Sequence, residues 1–260
     1  MSENDERKLL RLKAQLAAKY ALTTSEIAVD DRAWKITAVP DQDALLDAVD
    51  DLNHFPFGLL LWESAVGLAR FFSAGSVPLA GKRVLELGAG VGLPGLVAAS
   101  LGASVTQTDY QQDALLLATI NALQNLPSGI SPHAQLPVQF LSDWRTWKHP
   151  ARYDLILGAD ILYERSLHYH LMQIFTNNLE QNGTLLLADP GRPQAAEFVE
   201  SLRKFGWTVM TTLLPVQLEG GGQDGKPTTV RLLQVNRTHH ASLREGEHKI
   251  LQENPVFMPN

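Results

Sequence analysis

Between Val84 and Gly95 the chain reads Val-Leu-Glu-Leu-Gly-Ala-Gly-Val-Gly-Leu-Pro-Gly, and few folds accommodate that run. Leu85 and Leu87 flank Glu86 in a short apolar stretch, the pattern of a parallel strand covered on both faces. Gly88, Gly90 and Gly92 permit positive φ and leave no Cβ between the backbone and a ligand. Pro94 is tolerated in the first turn of a helix, where its missing N–H is not needed. The start of that helix offers free N–H groups to the anionic or carboxylate part of a ligand. Strand, glycine turn and helix therefore predict a site for an adenosine-bearing cofactor.

Two fingerprints overlap on this loop. Gly90-Val-Gly-Leu-Pro-Gly95 fits the dinucleotide pattern GxGxxG, and Asp109 follows roughly 20 residues on, where that pattern places a ribose ligand. Glu86-Leu-Gly88-Ala-Gly90-Val-Gly92 fits the acidic-x-Gly-x-Gly-x-Gly loop of enzymes that use S-adenosylmethionine. Glu86 favours the second pattern, because a carboxylate suits a ligand with an ammonium and a sulfonium and repels a pyrophosphate.

The rest of the chain reads as alternating strands and helices. Leu9, Leu12, Leu16 and Tyr20 form one stripe of a helix over 7–20. Residues 26–37 predict two short strands turning at Asp30-Asp31, and the acidic stretch 41–53 predicts a short helix or loop. An apolar helix over 59–72 precedes the strand at 83–87. Further strands are expected at 104–109, 138–141, 153–160, 184–188, 208–214 and 230–235. Helices are expected at 112–124, 166–179 and 194–205, with Asn182-Gly183 as a connection and a polar, glycine-rich loop at 219–227. This alternation implies a doubly wound, Rossmann-like α/β fold: a mostly parallel seven-stranded sheet with right-handed crossovers. No helix separates the last two strands, which therefore form an antiparallel C-terminal hairpin, an ending that suits a methyltransferase better than a dehydrogenase. The organisation expected is an N-terminal helix and hairpin cap (1–57), a cofactor-binding domain (58–236) and a C-terminal tail (237–260).

Composition narrows the partners. A formal net charge of −6 over 260 residues argues against general nucleic-acid binding. No apolar run approaches the roughly 20 residues that span a bilayer, and the charged N-terminus carries no signal-peptide core. With no cysteine, thiol catalysis and thiolate metal sites are ruled out. His168 and His170 lie two apart on a predicted helix and diverge, so no metal site is expected. A cytoplasmic location is the default.

Four segments in order resemble the seven-strand class I methyltransferases, and within them the family 16 protein-lysine methyltransferases. They are Pro56-Phe-Gly58-Leu-Leu-Leu-Trp62-Glu-Ser-Ala65, the glycine loop Glu86–Gly95, Asp143-Trp144, and Asp160-Ile-Leu-Tyr163. The last fits the family's Asp/Glu-x-x-Tyr/Phe motif, and the resemblance covers roughly residues 26–236. The resemblance implies S-adenosyl-L-methionine as cofactor and a lysine side chain of a protein as methyl acceptor. It implies cofactor contacts from Trp62, Glu86, Gly88, Ala89, Gly90, Gly92, Leu93, Asp109, Tyr110, Asp143, Trp144 and Ala159. In that frame Asp109 accepts both ribose hydroxyls, with a helix cap for 112–124 as its plain structural alternative. Trp62 covers the methionine end or packs in the core. Trp144 packs on adenine while Asp143 takes its amino group, with Trp147 as a competing aromatic surface.

Asp160 and Tyr163 are the implied catalytic pair. A lysine ammonium with a pKa of about 10.4 must become neutral before it attacks, and an aromatic wall favours the neutral amine. Asp160 either docks the ammonium or holds the amine; as an acid it helps docking and opposes deprotonation. Its structural alternative is an N-cap for the next helix. Asp189-Pro-Gly-Arg192 flanks the same cleft and reads as a turn. No Asn-Pro-Pro-Tyr motif follows the fourth strand, which sets the chain apart from enzymes acting on amide or base nitrogens. Acids at 30, 31, 41, 43, 47, 50, 51 and 63 either steer a lysine-bearing surface or form a solvated face. A small-molecule N-methyltransferase is the runner-up. An NAD-dependent oxidoreductase and an inactive cofactor-binding partner stand behind it, and oligomeric state is left open.

Overall fold

The structure, a computed structural model, describes residues 2–48, 55–126, 135–218 and 227–238. The glycine-rich loop read at 219–227 lies outside them except for Pro227, as do Asp50, Asp51 and the tail from His239 onward. Seven strands form one sheet: β3 (Arg83–Leu87), β4 (Ser104–Asp109), β5 (Val138–Leu141), β6 (Tyr153–Ala159), β7 (Leu179–Asp189), β8 (Trp207–Val216) and β9 (Thr228–Arg237). Their order is β5-β4-β3-β6-β7-β9-β8. β3 pairs in parallel with β4 and β6, β6 with β7, and β4 with β5. β9 inserts antiparallel between β7 and β8, so the C-terminal hairpin closes that edge of the sheet. No described helix is long and apolar enough to cross a membrane.

Period-two alternation sends each central strand's side chains to both faces. Val84, Leu155, Leu157 and Leu186 enter one buried cluster with α4 (Leu93–Ser100) and α5 (Gln112–Asn125). Leu85, Leu87, Ile156, Leu185 and Leu187 enter the other, against α6 (Arg165–Asn178) and α7 (Pro193–Lys204). This is why the strands read as unbroken apolar runs. Their carboxyl ends align along one edge, and the loops leaving β3, β4 and β6 meet there.

Two sequence expectations are corrected. The helix expected over 59–72 is a 3-10 turn, Phe57–Leu59, followed by α3, Glu63–Phe71, with Trp62 at its N-cap. Leu60 between them is extended, because this segment lies across the glycine loop. Asn182-Gly183, expected as a connection, sits inside β7, which starts pairing at Tyr153↔Leu179 and shifts register before Leu155. At Gly183 a side-chain carbon would come within 2.8 Å of Leu179, so a larger residue there would have to displace that buried leucine.

The N-terminal segment shares the domain's core. Leu9, Leu12 and Leu16 of α1 (Glu3–Ala17) are buried in the same cluster as α5, together with Trp34 and Ile36 of the hairpin β1 (Thr23–Val29) and β2 (Arg32–Ala38). The hairpin turns at Asp30, whose positive φ of 49° an aspartate tolerates. Polar contacts fix its register on α5. The buried Asn121 amide accepts from Thr37 N (2.7 Å) and donates to Thr37 O (3.0 Å) and Val91 O (2.9 Å). One side chain thus pairs with β2 as a strand would, and also grips the glycine loop.

Asn121→Ala leaves three buried backbone groups without partners, and the expected loss is about 2–4 kcal/mol in chemical denaturation. A loss below about 1 kcal/mol would show that the cap is held by apolar packing alone.

Candidate active site

The site begins with the loop that leaves β3. Gly88, Gly90 and Gly92 take φ of 62°, 53° and 80°, where residues with a Cβ are strained. Each is also pressed by the protein itself. A carbon on Gly88 would lie 3.0 Å from Ile161 Cγ2 and 3.2 Å from Trp144 Cζ2; one on Gly92 would lie 2.7 Å from Ala118 Cβ. A carbon on Gly90 would lie 3.0 Å from Gly58 O, so the segment before α3 rides directly over the loop. Trp62 braces that segment by donating its Nε1–H to Phe57 O (3.0 Å). Contact between protein segments, together with the positive φ, explains why these positions are glycine.

Two buried carboxylates hold the loop. Glu86 is 2% exposed, and its Oε2 accepts from Gly95 N (3.1 Å) and Gln107 Nε2 (2.6 Å). Gln107 also donates to Gly92 O (2.9 Å). Glu86 therefore spends its carboxylate on the loop and the first turn of α4. Burial pushes its pKa up to about 7, against the hydrogen bonds from Gln107 and Gly95 that lower it. Asp109, at the end of β4, accepts from Gly90 N (3.0 Å) through Oδ2 and from Gln111 N (3.0 Å) through Oδ1. It thus supports the entry to α5 as well as facing the loop, and burial raises its pKa. Ala89 and Leu93 are buried, Leu93 completely, so the Leu93 side chain belongs to the core.

The aromatic candidates separate clearly. Trp144 lies against Gly88 in a 3-10 turn that Asp143 caps by accepting from Arg145 N (2.9 Å). Asp143 also holds Arg145 Nε at 3.1 Å. Trp147 is anchored elsewhere: its Nε1–H donates to Asn178 Oδ1 (2.9 Å), and its ring meets Phe140 edge-on. Tyr110, beside Asp109, is 48% exposed.

β6 ends at Ala159, and Asp160 turns the chain with φ 56° while its N–H still donates to Ala188 O (2.8 Å). The corner thus stays on the sheet's ladder, and Ile161 packs on Gly88. Asp160 does not cap α6, whose N-cap is Glu164. Instead its carboxylate takes a bidentate pair from Arg192, Nε to Oδ1 at 2.6 Å and the terminal nitrogen to Oδ2 at 2.7 Å. Tyr163 keeps 38% of its surface exposed. Burial first, then the nearby Tyr110, Glu164, Asp109 and Asp160, push its phenol up to about 12, so it stays protonated at neutral pH. Behind it, buried His168 places Nε2 3.1 Å from Leu162 O. A carbonyl only accepts, so Nε2 carries the proton and pins the residue before Tyr163. Among the described residues no group of three or more His, Cys, Asp or Glu side chains could hold a metal ion.

Gln107, Asn121 and Arg231 were given no role from the sequence. Gln107 and Arg231 had a signal, a long polar side chain inside a buried strand. Asn121 had none, since its partners Thr37 and Val91 are distant in the chain.

Glu86 generates a pH test. Its folded pKa of about 7 exceeds the ordinary 4.5, so between those values the folded chain holds a proton that the unfolded chain has released. Stability therefore falls as pH rises through that window. Glu86→Gln removes the effect: its stability relative to the parent should rise by on the order of 3 kcal/mol from pH 4.5 to 8. A pH-independent difference in denaturation midpoints would rule out burial of an ionising carboxyl there.

Comparison with known proteins follows the same lines. A family model described as lysine methyltransferase matches residues 41–205. Protein N-lysine methyltransferase METTL21A of Danio rerio is 41% identical over 137 residues, 53% of this chain and 62% of that protein. The chain thus matches less than two thirds of that relative's length. METTL21A of Xenopus tropicalis is 31% identical over 164 residues, covering 63% of this chain and 75% of that protein. The solved magnesium protoporphyrin IX methyltransferase of Synechocystis PCC 6803, with bound SAH, superposes with a TM-score of 0.52 at 18% identity. It covers 68% of this chain and 82% of its own, and shows the shared fold. A glycine loop backed by carboxylates, an acid ending β4 and Asp160-x-x-Tyr163 facing them thus occur in a chain that belongs to the lysine methyltransferase family.

Proposed function

We propose that this chain transfers a methyl group from S-adenosyl-L-methionine to a lysine side chain of a protein. The observation that carries this is the meeting of the Asp160–Tyr163 corner with the glycine loop, Ile161 and Trp144 both packing on Gly88. The loop's own polarity supports a cationic cofactor over a dinucleotide. Gly90 N and Gly95 N are already answered by the carboxylates of Asp109 and Glu86, where a pyrophosphate needs free N–H groups and no nearby anion.

The donor set suits S-adenosylmethionine. Asp109, whose two oxygens already accept from Gly90 N and Gln111 N, keeps a second lone pair on each for a ribose diol; Trp144 and Tyr110 offer ring surface for adenine beside Asp143, and Trp62 closes the side of Gly58. Ala89, Leu93 and Ala159 contribute backbone. When bound, the cofactor supplies an electrophilic methyl on a sulfonium, displaced in line by the amine. The chain's own residues align the acceptor more than they exchange protons with it. Tyr163, held as a neutral phenol, walls the acceptor with low-dielectric surface and favours the uncharged amine. Asp160, fixed by the ladder and by Arg192, presents a carboxylate of set direction to the nitrogen. The net charge of −6 and the exposed acids at 30, 31, 41, 43 and 47 support a basic protein surface as acceptor rather than nucleic acid.

Calorimetry should show binding of S-adenosylmethionine and S-adenosylhomocysteine without NAD; the reverse result ends the proposal. Labelled-methyl transfer into a soluble protein extract, followed by peptide mass spectrometry, should place label on lysine. Label confined to small metabolites would favour a small-molecule acceptor. Asp160→Ala should lower transfer about 100-fold with cofactor affinity kept, and unchanged turnover would remove Asp160 from the chemistry.

A further inference from the structure

Four charged side chains meet where β6 and β7 end and β9 begins, beside the acceptor side of the cleft. Asp189, completely buried, accepts through Oδ1 from Gly191 N (2.7 Å), Arg192 N (2.8 Å) and Arg231 (2.7 Å). Arg231 also donates to Arg192 O (3.1 Å). The backbone of Arg192 is therefore clamped on both sides, and from that base its guanidinium reaches forward to Asp160. The Asp160 side chain is 8% exposed and that of Arg192 37%, so the pair lies at the cleft wall, open on the arginine side. Asp160 and Asp189 against Arg192 and Arg231 sum to no net charge.

This balance bears on the conflict built into a lysine methyltransferase site. A lone carboxylate beside the acceptor attracts the ammonium but also holds its proton, and only the neutral amine has a lone pair to attack with. We infer that Arg192 is a positioning residue that cancels the charge of Asp160, so that Asp160 orients the acceptor nitrogen without stabilising its protonated form. The inference rests on the lysine-methyltransferase function proposed above. The other groups facing the pair do not substitute for Arg192. Asp189 is matched by Arg231. Tyr163 and Tyr110 both have raised pKa values, chiefly from burial, and stay neutral. Asp109 is committed to Gly90 and Gln111, and Glu164 is exposed to solvent. Only a planar, two-pronged cation makes this side-on pair; lysine keeps the charge and loses the fork.

The test uses the acceptor protein recovered by the labelling experiment, purified and held at saturation, with kcat followed from pH 6.5 to 10. In Arg192→Gln the acidic limb of the profile should move up by about 1 pH unit, lowering kcat about tenfold near pH 7.5 and converging on the parent at the alkaline end. Arg192→Lys should keep the limb where the parent has it, whatever its absolute rate. Thermal melts and S-adenosylhomocysteine affinity establish that both variants are folded. A loss in Arg192→Gln that is equal at every pH, or a limb displaced equally in both variants, would overturn the charge-cancelling role and leave the lysine-methyltransferase function standing. Failure of the parent enzyme to label any lysine would overturn both.

Discussion

The buried carboxylate of Glu86 holds together the part of the molecule on which the rest of the site is built. It ties the end of β3 to the first turn of α4 through Gly95 and to β4 through Gln107. Gln107 in turn holds Gly92 O and receives Gln139 of β5 at 2.9 Å. Three neighbouring strands and one helix start thus share a single polar knot inside an apolar sheet. An isolated buried carboxylate is costly; here two strong donors and a raised pKa of about 7 make it tolerable. Once the loop is set, Gly58 lies on Gly90, Trp144 and Ile161 lie on Gly88, and Asp109 meets Gly90 N.

A second polar assembly governs the opposite wall. Asp189 is completely buried while the Arg231 side chain keeps 28% exposure, and the partners of this pair are backbone groups of the Gly191-Arg192 turn. Truncating either member of such a buried pair strands the other charge, which costs more than the pair contributes. Its consequence for the site is geometric. It fixes where Arg192 starts, and Arg192 fixes the carboxylate of Asp160 at a corner of positive φ. The geometry of this wall therefore depends on Arg231 of β9, a strand that lies outside the parallel half of the sheet.

Much of the fold was legible in the residues. Strands β3, β4 and β5 fall where their patterns placed them, because alternation and flanking turns are local signals. The corrections come where a local signal met a distant partner. Asn182-Gly183 carries a turn signature, yet pairing with β6 and packing of Leu179 draw it into β7. The apolar run at 59–62 reads as helix, yet contact with the glycine loop holds it as a 3-10 turn and an extended step. The sequence favoured Trp144 with Trp147 as a competing aromatic; packing on Gly88 against bonding to Asn178 separates them.

The sequence by itself determined the class of site: a strand, a glycine loop and a helix start, an acid on the next strand, and Asp160-x-x-Tyr163 on the one after the third. Those features depend on residues a few positions apart, where steric limits on φ and the side-chain period act directly. Only the tertiary structure decided what each acid does. Glu86 serves the loop, Asp109 divides itself between loop and helix, and Asp160 is neutralised by a guanidinium 32 residues away. The charge state of a carboxylate depends on everything within a few ångströms in space, and chain spacing carries no record of which bases folding will bring there.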